Sequence, residues 1–228
     1  MTDSDAAFRV EKIAAPLRYS VTESIRSAIA AGRFKAGDRL PERELCELTG
    51  VSRTLVREAM RQLESEGVIT VEPHRGPFVA RLSRAQAEGV YQVRIELEGL
   101  ACRLFAENAT DIQRQALKDA FKDLQAAARR ADPQNRLRTK NQFYACMIEG
   151  AQNEALGSCL HILNSRISLL RATSMTAPGR IKKSIAELSS LMEALMARDG
   201  ERACQLGQQH VRMAAEAALK LLSTDEAD

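Results

Sequence analysis

Apolar residues recur at helical spacing along most of the chain and give way to strict alternation in one place. Leu17, Val21, Ile25, Ala28 and Ile29 share a face of a helix running from Leu17 to Ala31, and Gly32 ends it. The link GRFKAGDRLP holds two glycines and is too short for another helix. Pro41 then suits the first turn of a helix, with Glu42 and Glu44 near the positive end of its dipole and Leu45 and Leu48 facing inward. Gly50 permits a tight turn over Val51, and Ser52 is placed to cap a second helix whose stripe is Val56, Ala59, Met60 and Leu63. Gly67 stops that helix. VITVE and PFVAR follow as two short strands, with PHRG between them as the tip of a wing.

After Arg84 the period becomes helical throughout. Six amphipathic stretches are expected, at 85–107, 111–130, 135–151, 154–173, 179–198 and 200–222. They are separated by Asn108–Thr110, Asp132-Pro133, Gly150, Ala177–Gly179 and Asp199-Gly200. The fold class is therefore mainly α: an N-terminal winged helix-turn-helix followed by an all-α six-helix bundle. The expected division is a flexible tail at 1–12, a DNA-binding domain at 13–82 and a helical domain at 83–228. No long linker separates the two domains, which implies mechanical coupling.

Composition narrows the function. No apolar run approaches membrane-spanning length, and MTDSDAAFRVEKIAAP lacks the apolar centre of a secretory signal. Five cysteines, odd in number and never in a Cys-x-x-Cys pair, point to reduced thiols in a cytoplasm. A net charge of +3 does not by itself argue for nucleic acid, and residues 1–82 hold 13 Lys+Arg against 12 Asp+Glu, a net of +1. The absence of Trp and an aromatic content of 4% speak against folds that stack single-stranded bases.

The position of the arginines carries the case. Arg53, Arg57 and Arg61 lie at i, i+4 and i+8, opposite the apolar stripe of their helix. Ser52, Arg53 and Thr54 are expected at the entrance of a major groove, where helix N-terminal residues reach base edges. Arg57 lies one turn deeper, where a guanidinium can pair bidentately with guanine. Arg43 is better placed for backbone phosphate, and His74, Arg75 and Gly76 for the adjacent minor groove or phosphate. The competing reading has Arg57 and Arg61 solvated and paired with Glu58 or Glu64.

LPERELCELTGVSRTLVREAMRQLESEGVITVEPHRGPFV resembles the DNA-binding domain of GntR-family bacterial transcription regulators. The resemblance implies DNA contacts at Arg43, Ser52, Arg53, Thr54, Arg57 and the His74–Gly76 wing. Leu55 departs from it, standing where many members have Pro or Thr. VYQVRIELEGLACRLFAENAT at 90–110, GAQNEAL at 150–156 and ALMARD at 194–199, leading to His210, resemble the FCD effector domain of the FadR subfamily. Six helices rather than seven suggest the VanR-like branch.

Many such domains hold a divalent metal through an Asp-x-x-Phe-His segment and two later histidines. Here the matching segment is Lys140-Asn141-Gln142-Phe143-Tyr144, the second histidine falls at Leu188, and only His210 remains. One imidazole beside an ammonium will not hold a divalent cation, so no metal and no cofactor is expected. The alternative is that Asn141, Glu187 or His161 completes a site. Without a metal, Arg94, Lys140, Tyr144 and His210 could supply donors for an anionic effector. The competing view pairs Lys140 with a glutamate of a neighbouring helix and makes Tyr144 and His210 hydrogen-bonded core residues. Arg166 and Arg171 recur on the fourth helix of this domain and are expected on an exposed face.

The chain is thus expected to be a regulator, not an enzyme: a homodimeric repressor that reads a palindromic double-stranded operator under control of a small organic acid. A metal-dependent enzyme and a helical interaction adaptor are the alternatives. The first has only His74, His161 and His210 to work with and no phosphate-binding loop.

Overall fold

The computed structural model describes residues 15–30 and 33–225. The tail expected at 1–12 and the helix stop expected at Gly32 fall outside them. Nine helices and a two-stranded sheet make up the described residues. Helix α1 spans Ala15–Ala30, α2 Glu42–Thr49 and α3 Arg53–Ser65, followed by strands β1 Ile69–Glu72 and β2 Gly76–Val79. Six helices complete the chain: α4 Arg84–Asn108, α5 Asp111–Ala128, α6 Pro133–Gly150, α7 Glu154–Thr176, α8 Arg180–Met196 and α9 Gly200–Asp225.

The first core gathers Val21, Ile25 and Ile29 of α1, Leu45 of α2, and Val56 and Leu63 of α3, closed by Val79 of the wing. Each fully buried aliphatic side chain there contributes on the order of 1.5–3 kcal/mol. The inward assignment of Leu48 fails, and Leu17 leaves the apolar face it shares by spacing. Leu17 is 48% and Leu48 39% exposed, because the core ends one turn short of Leu17, and α2 is short enough for Leu45 alone to seal it. Strands β1 and β2 pair antiparallel with Glu72 opposite Gly76, and Arg39 adds an isolated bridge to Phe78. The glycine-containing link is therefore not idle. Gly37 N donates to Val79 O and Leu40 N to Pro77 O, extending the small sheet.

The helical half is punctuated where its caps fall. Ser83 with Gln86 and Thr110 with Gln113 form reciprocal capping boxes that start α4 and α5. Asp132 caps α6 with Pro133 in its first turn, and Asn153 caps α7. Helices α4 and α9 make the most extensive contact of the bundle. Gly207 allows it, since a Cβ there would lie 2.5 Å from Cys102 Sγ. The second core, from Tyr91 and Phe105 to Phe143, Leu188 and Val211, runs through all six helices.

The two halves meet along α7. Leu169 packs against the first core, and the Arg166 guanidinium covers Gly67 at the end of α3. Arg166 is thus half-buried at a seam, not on an open face.

Candidate functional site

The reading surface follows from the turn between α2 and α3. Gly50 closes α2 in the left-handed region, with φ 69°, and donates to Cys46 O. Ser52 then caps α3 by accepting from Leu55 N at 3.5 Å. With Val56, Ala59, Met60 and Leu63 buried, Arg53, Thr54, Arg57 and Arg61 are all exposed on the opposite side. Arg57 does pair, but neither with Glu58 nor with Glu64: its Nε lies 2.8 Å from Glu42 Oε1 on the preceding helix. That hydrogen bond lowers the Glu42 carboxyl below its ordinary range. The Arg43 side chain is 85% exposed and pairs with Glu47 one turn on, at 2.9 Å. Both pairs are solvated, so phosphate or base can exchange for the carboxylate at small cost.

The wing presents its cations outward. His74 and Arg75 are exposed, and Arg75 Nη1 lies 2.5 Å from Glu72 and over the Phe78 ring. Gly76 takes a positive φ of 91° at the turn, and His74 lies in the left-handed region at 64°. Arg39 reaches the base of this tip from the link. It was not singled out from the sequence, because its neighbourhood depends on a bridge between residues far apart in the chain.

The helical half holds a buried polar cluster. Arg94, Lys140, Tyr144 and His210, named from the sequence on three separate helical stretches, are each at most 3% exposed and converge there. Sequence reasoning missed Glu98, Arg180 and Ser184, considered Glu187 only as an alternative metal ligand, and placed Arg171 on an exposed face. Arg94 Nε donates to Glu98 Oε1 at 2.6 Å, and Arg171 Nη2 donates to the same oxygen at 3.2 Å. Burial pushes the Glu98 carboxyl up, but these two guanidiniums outweigh it and hold it ionised below its usual range. Arg171 also donates to Asn141 Oδ1 at 3.0 Å and stacks 3.8 Å from the Tyr144 ring centre. Its expected place on an exposed face is wrong: it is 4% exposed and sits on the buried stripe with Ile167 and Ser174.

A second knot forms on α8 and α9. Arg180 clasps both oxygens of Glu187 at 2.9 and 2.8 Å, and His210 Nδ1 lies 2.6 Å from Glu187 Oε2. Lys140 pairs with no glutamate and instead donates to Ser184 Oγ at 3.0 Å. Burial, reinforced by Arg180, Arg94 and Arg171, pushes its ammonium well below the usual lysine range. Burial likewise lowers His210 to about 4, against the opposing pull of Glu187.

These residues do not fit a divalent metal. Lys140, Tyr144 and Leu188 supply no ligand, Asn141 and Glu187 are engaged by arginines, and His161 is exposed. Among the described residues no group of three His, Cys, Asp or Glu is placed to hold one. Several polar atoms of the cluster nonetheless make no hydrogen bond: Arg94 Nη1, Arg171 Nε, Arg180 Nε, Tyr144 OH and His210 Nε2. A cavity of about 1140 Å³ reaches the cluster at Glu98, Tyr144 and Arg171, and its outer wall includes Tyr19, Glu23 and Ser27 of α1.

Comparison with known proteins settles the class. The model of bacterial regulatory proteins of the gntR family matches residues 17–79, and that of the FCD domain matches residues 89–213. The chain belongs to the GntR family, in the form that carries an FCD domain. It is 26% identical over 199 residues to the HTH-type transcriptional regulator YdhC of Bacillus subtilis, covering 87% of this chain and 88% of that one. It is 26% identical over 187 residues to McbR of Escherichia coli, covering 81% and 85%. The solved structure of E. coli McbR/YncC has the same fold, with a TM-score of 0.78 at 23% identity over 93% of this chain and all of that one. This GntR-family protein is accordingly a DNA-binding transcription regulator and not an enzyme. No helix among the described residues is long and apolar enough to cross a membrane.

Proposed function

We propose that this GntR regulator is a cytoplasmic homodimeric repressor of the FadR subfamily, in its VanR-like branch. Residues 13–82 read a palindromic operator, and residues 83–228 sense a small organic acid or other anion and supply much of the dimer contact. Two-fold pairing is the economical way to specific binding, because one winged unit covers too little DNA alone. Repression has support in relatives whose names carry it: RspR of E. coli, a transcriptional repressor, and the probable D-xylose utilization operon transcriptional repressor of Paenarthrobacter nicotinovorans.

Arg53, Thr54 and Arg57 read bases from α3, with Ser52 setting its first turn. Arg43 and the wing residues His74, Arg75 and Gly76 hold the flanking backbone, with Arg39 beside them. Arg94, Lys140, Tyr144 and His210, together with Arg171, receive the anion. One observation carries the sensing role: buried donors of three arginines and a tyrosine stand unpartnered in a single cluster. Leaving them so is costly, and an acid would satisfy them. The same α7 that holds Arg171 also packs Leu169 into the DNA-binding core, which gives the signal a short path.

The test is binding of the full chain to its own promoter fragment across a salt series, with and without a panel of mono- and dicarboxylates. A steep loss with salt marks phosphate contacts, and an acid that changes the affinity supports sensing. A flat salt response, or a panel that changes neither operator affinity nor melting temperature, overturns the corresponding half.

A further inference from the structure

The two halves enclose another crevice, apart from the polar cluster. It measures about 450 Å³ and lies at the seam, where the end of α1 and the link face α6, α7 and the end of α9. Ile29 and Phe34 line it from the DNA-binding side, and Leu137, Leu170 and Leu222 from the helical side. Packed interiors leave few voids larger than a water molecule. Sites for small molecules are mainly apolar hollows of this order, often placed between domains.

Its few polar groups are unevenly engaged. The Thr173 and Thr176 hydroxyls donate within their own helix, to Leu169 O at 3.0 Å and Thr173 O at 2.8 Å. Among the described residues no carboxylate lines the crevice, and its charged groups are the cations Lys35 and Arg136. Arg136 Nη1 donates to Arg130 O at 2.5 Å, but its Nε is buried and makes no hydrogen bond. A permanently charged donor stripped of water and left bare is costly, and an anion answers it best.

We infer that this seam is a ligand site in its own right and takes a medium-chain monocarboxylate. The alkyl body lies against Phe34 and Leu170, and the carboxylate meets Arg136, with the exposed Lys35 at the mouth. The inference does not depend on the anion reading of the buried cluster, none of whose residues lines this crevice. A polyhydroxylated acid does not suit it, because the walls are apolar and both threonine hydroxyls are engaged. A molecule held there touches both halves of the chain at once.

The test titrates full-length protein with hexanoate, octanoate, decanoate and octanol by calorimetry, with thermal shift as a second readout. Affinity should rise about threefold per methylene along the acids. Octanol should bind about tenfold more weakly than octanoate. Arg136→Gln should remove that difference and leave octanol's affinity nearly unchanged. Ala172→Phe, which fills the crevice from α7, should weaken every member of the series; if it does not fold, Arg136→Gln and the chain-length series decide. Excess succinate, a short acid without an apolar body, should not displace decanoate. Displacement would put decanoate in the polar cluster, overturning this inference and leaving the anion reading standing. Binding that both variants leave intact overturns it as well, as does equal affinity for octanoate and octanol, or no binding by any of the four. Loss of self-association by Ala172→Phe in sedimentation would assign the seam to a second copy of the chain, which also overturns it.

Discussion

Arg57 and Arg94 each hold a glutamate, at 2.8 and 2.6 Å, and the two pairs do opposite work. Around Arg57–Glu42 there is water: the arginine side chain is 58% exposed, and solvent screens most of the attraction. Such a pair is readily exchanged, which suits the proposed role of Arg57 in leaving its carboxylate for DNA. Arg94 and Glu98 are sealed, at 0% and 2% side-chain exposure, and share their charge with Arg171. Taking those ions out of water is expensive, and the cost is offset only while every member is present. The labile cations thus lie on the face proposed to meet the operator, and the locked ones in the cluster proposed to sense the effector.

The largest expected effect is loss of the locked carboxylate. Glu98→Ala strands Arg94 and Arg171 and should lower unfolding free energy by about 3–5 kcal/mol in urea titration. Glu42→Ala should leave stability within the scatter of surface changes. Equal effects at the two positions would erase the contrast.

Next comes pH. His210 titrates near 4 when folded against an ordinary value of 6.5, so between these values the unfolded chain binds the extra proton. Stability should therefore be intact above about pH 6.5 and decline as pH falls toward 4, by at most about 1.4 kcal/mol per pH unit from this residue. Glu98 and Glu187, whose carboxyls are lowered from an ordinary 4.5, act only below that window. Denaturation midpoints for the wild type and His210→Phe, taken at half-unit steps, should diverge in slope between pH 4.5 and 6.5. Parallel curves would mean that the imidazole is not held neutral by the fold.

The smallest effect on the fold is the most telling for function. Arg57→Ala should leave the melting temperature unchanged and weaken operator binding roughly ten- to a hundredfold, with relaxed preference at one base pair. Uniform weakening on all sequences would make it a phosphate contact. A loss of stability instead would mean that its pairing with Glu42 is structural.

Most of the architecture was legible because period and punctuation agree: the Ser52, Thr110 and Asp132 caps fall where the apolar stripes begin. Arg53 and Arg57 were readable for the same reason, being the polar face of a short, clean stripe. The locked cluster was half legible. Arg94, Lys140, Tyr144 and His210 were found through family likeness, whereas Glu98 and Arg180 were passed over, Arg171 was placed on an exposed face and Glu187 was weighed only as a metal ligand. A signal was present. Arg94 and Glu98 lie in the run Tyr91, Arg94, Glu98, Ala101 and Phe105, on the buried stripe itself, and Arg171 follows Ile167 by one turn. Charges inside an apolar stripe mark a buried polar site, but partners on other helices cannot be counted from spacing along one of them. Arg39 escaped for a related reason, since only pairing between the link and the wing brings it to the tip.

Helix α7 anchors one guanidinium among the locked charges and, two residues away, packs Leu169 against the DNA-binding core. Linkage obliges such a shared strut to work in both directions. Whatever factor a bound acid imposes on operator affinity, the operator imposes in return on the acid. Under the proposed function, repressor parked on its promoter is a sensor with a different threshold from repressor free in solution.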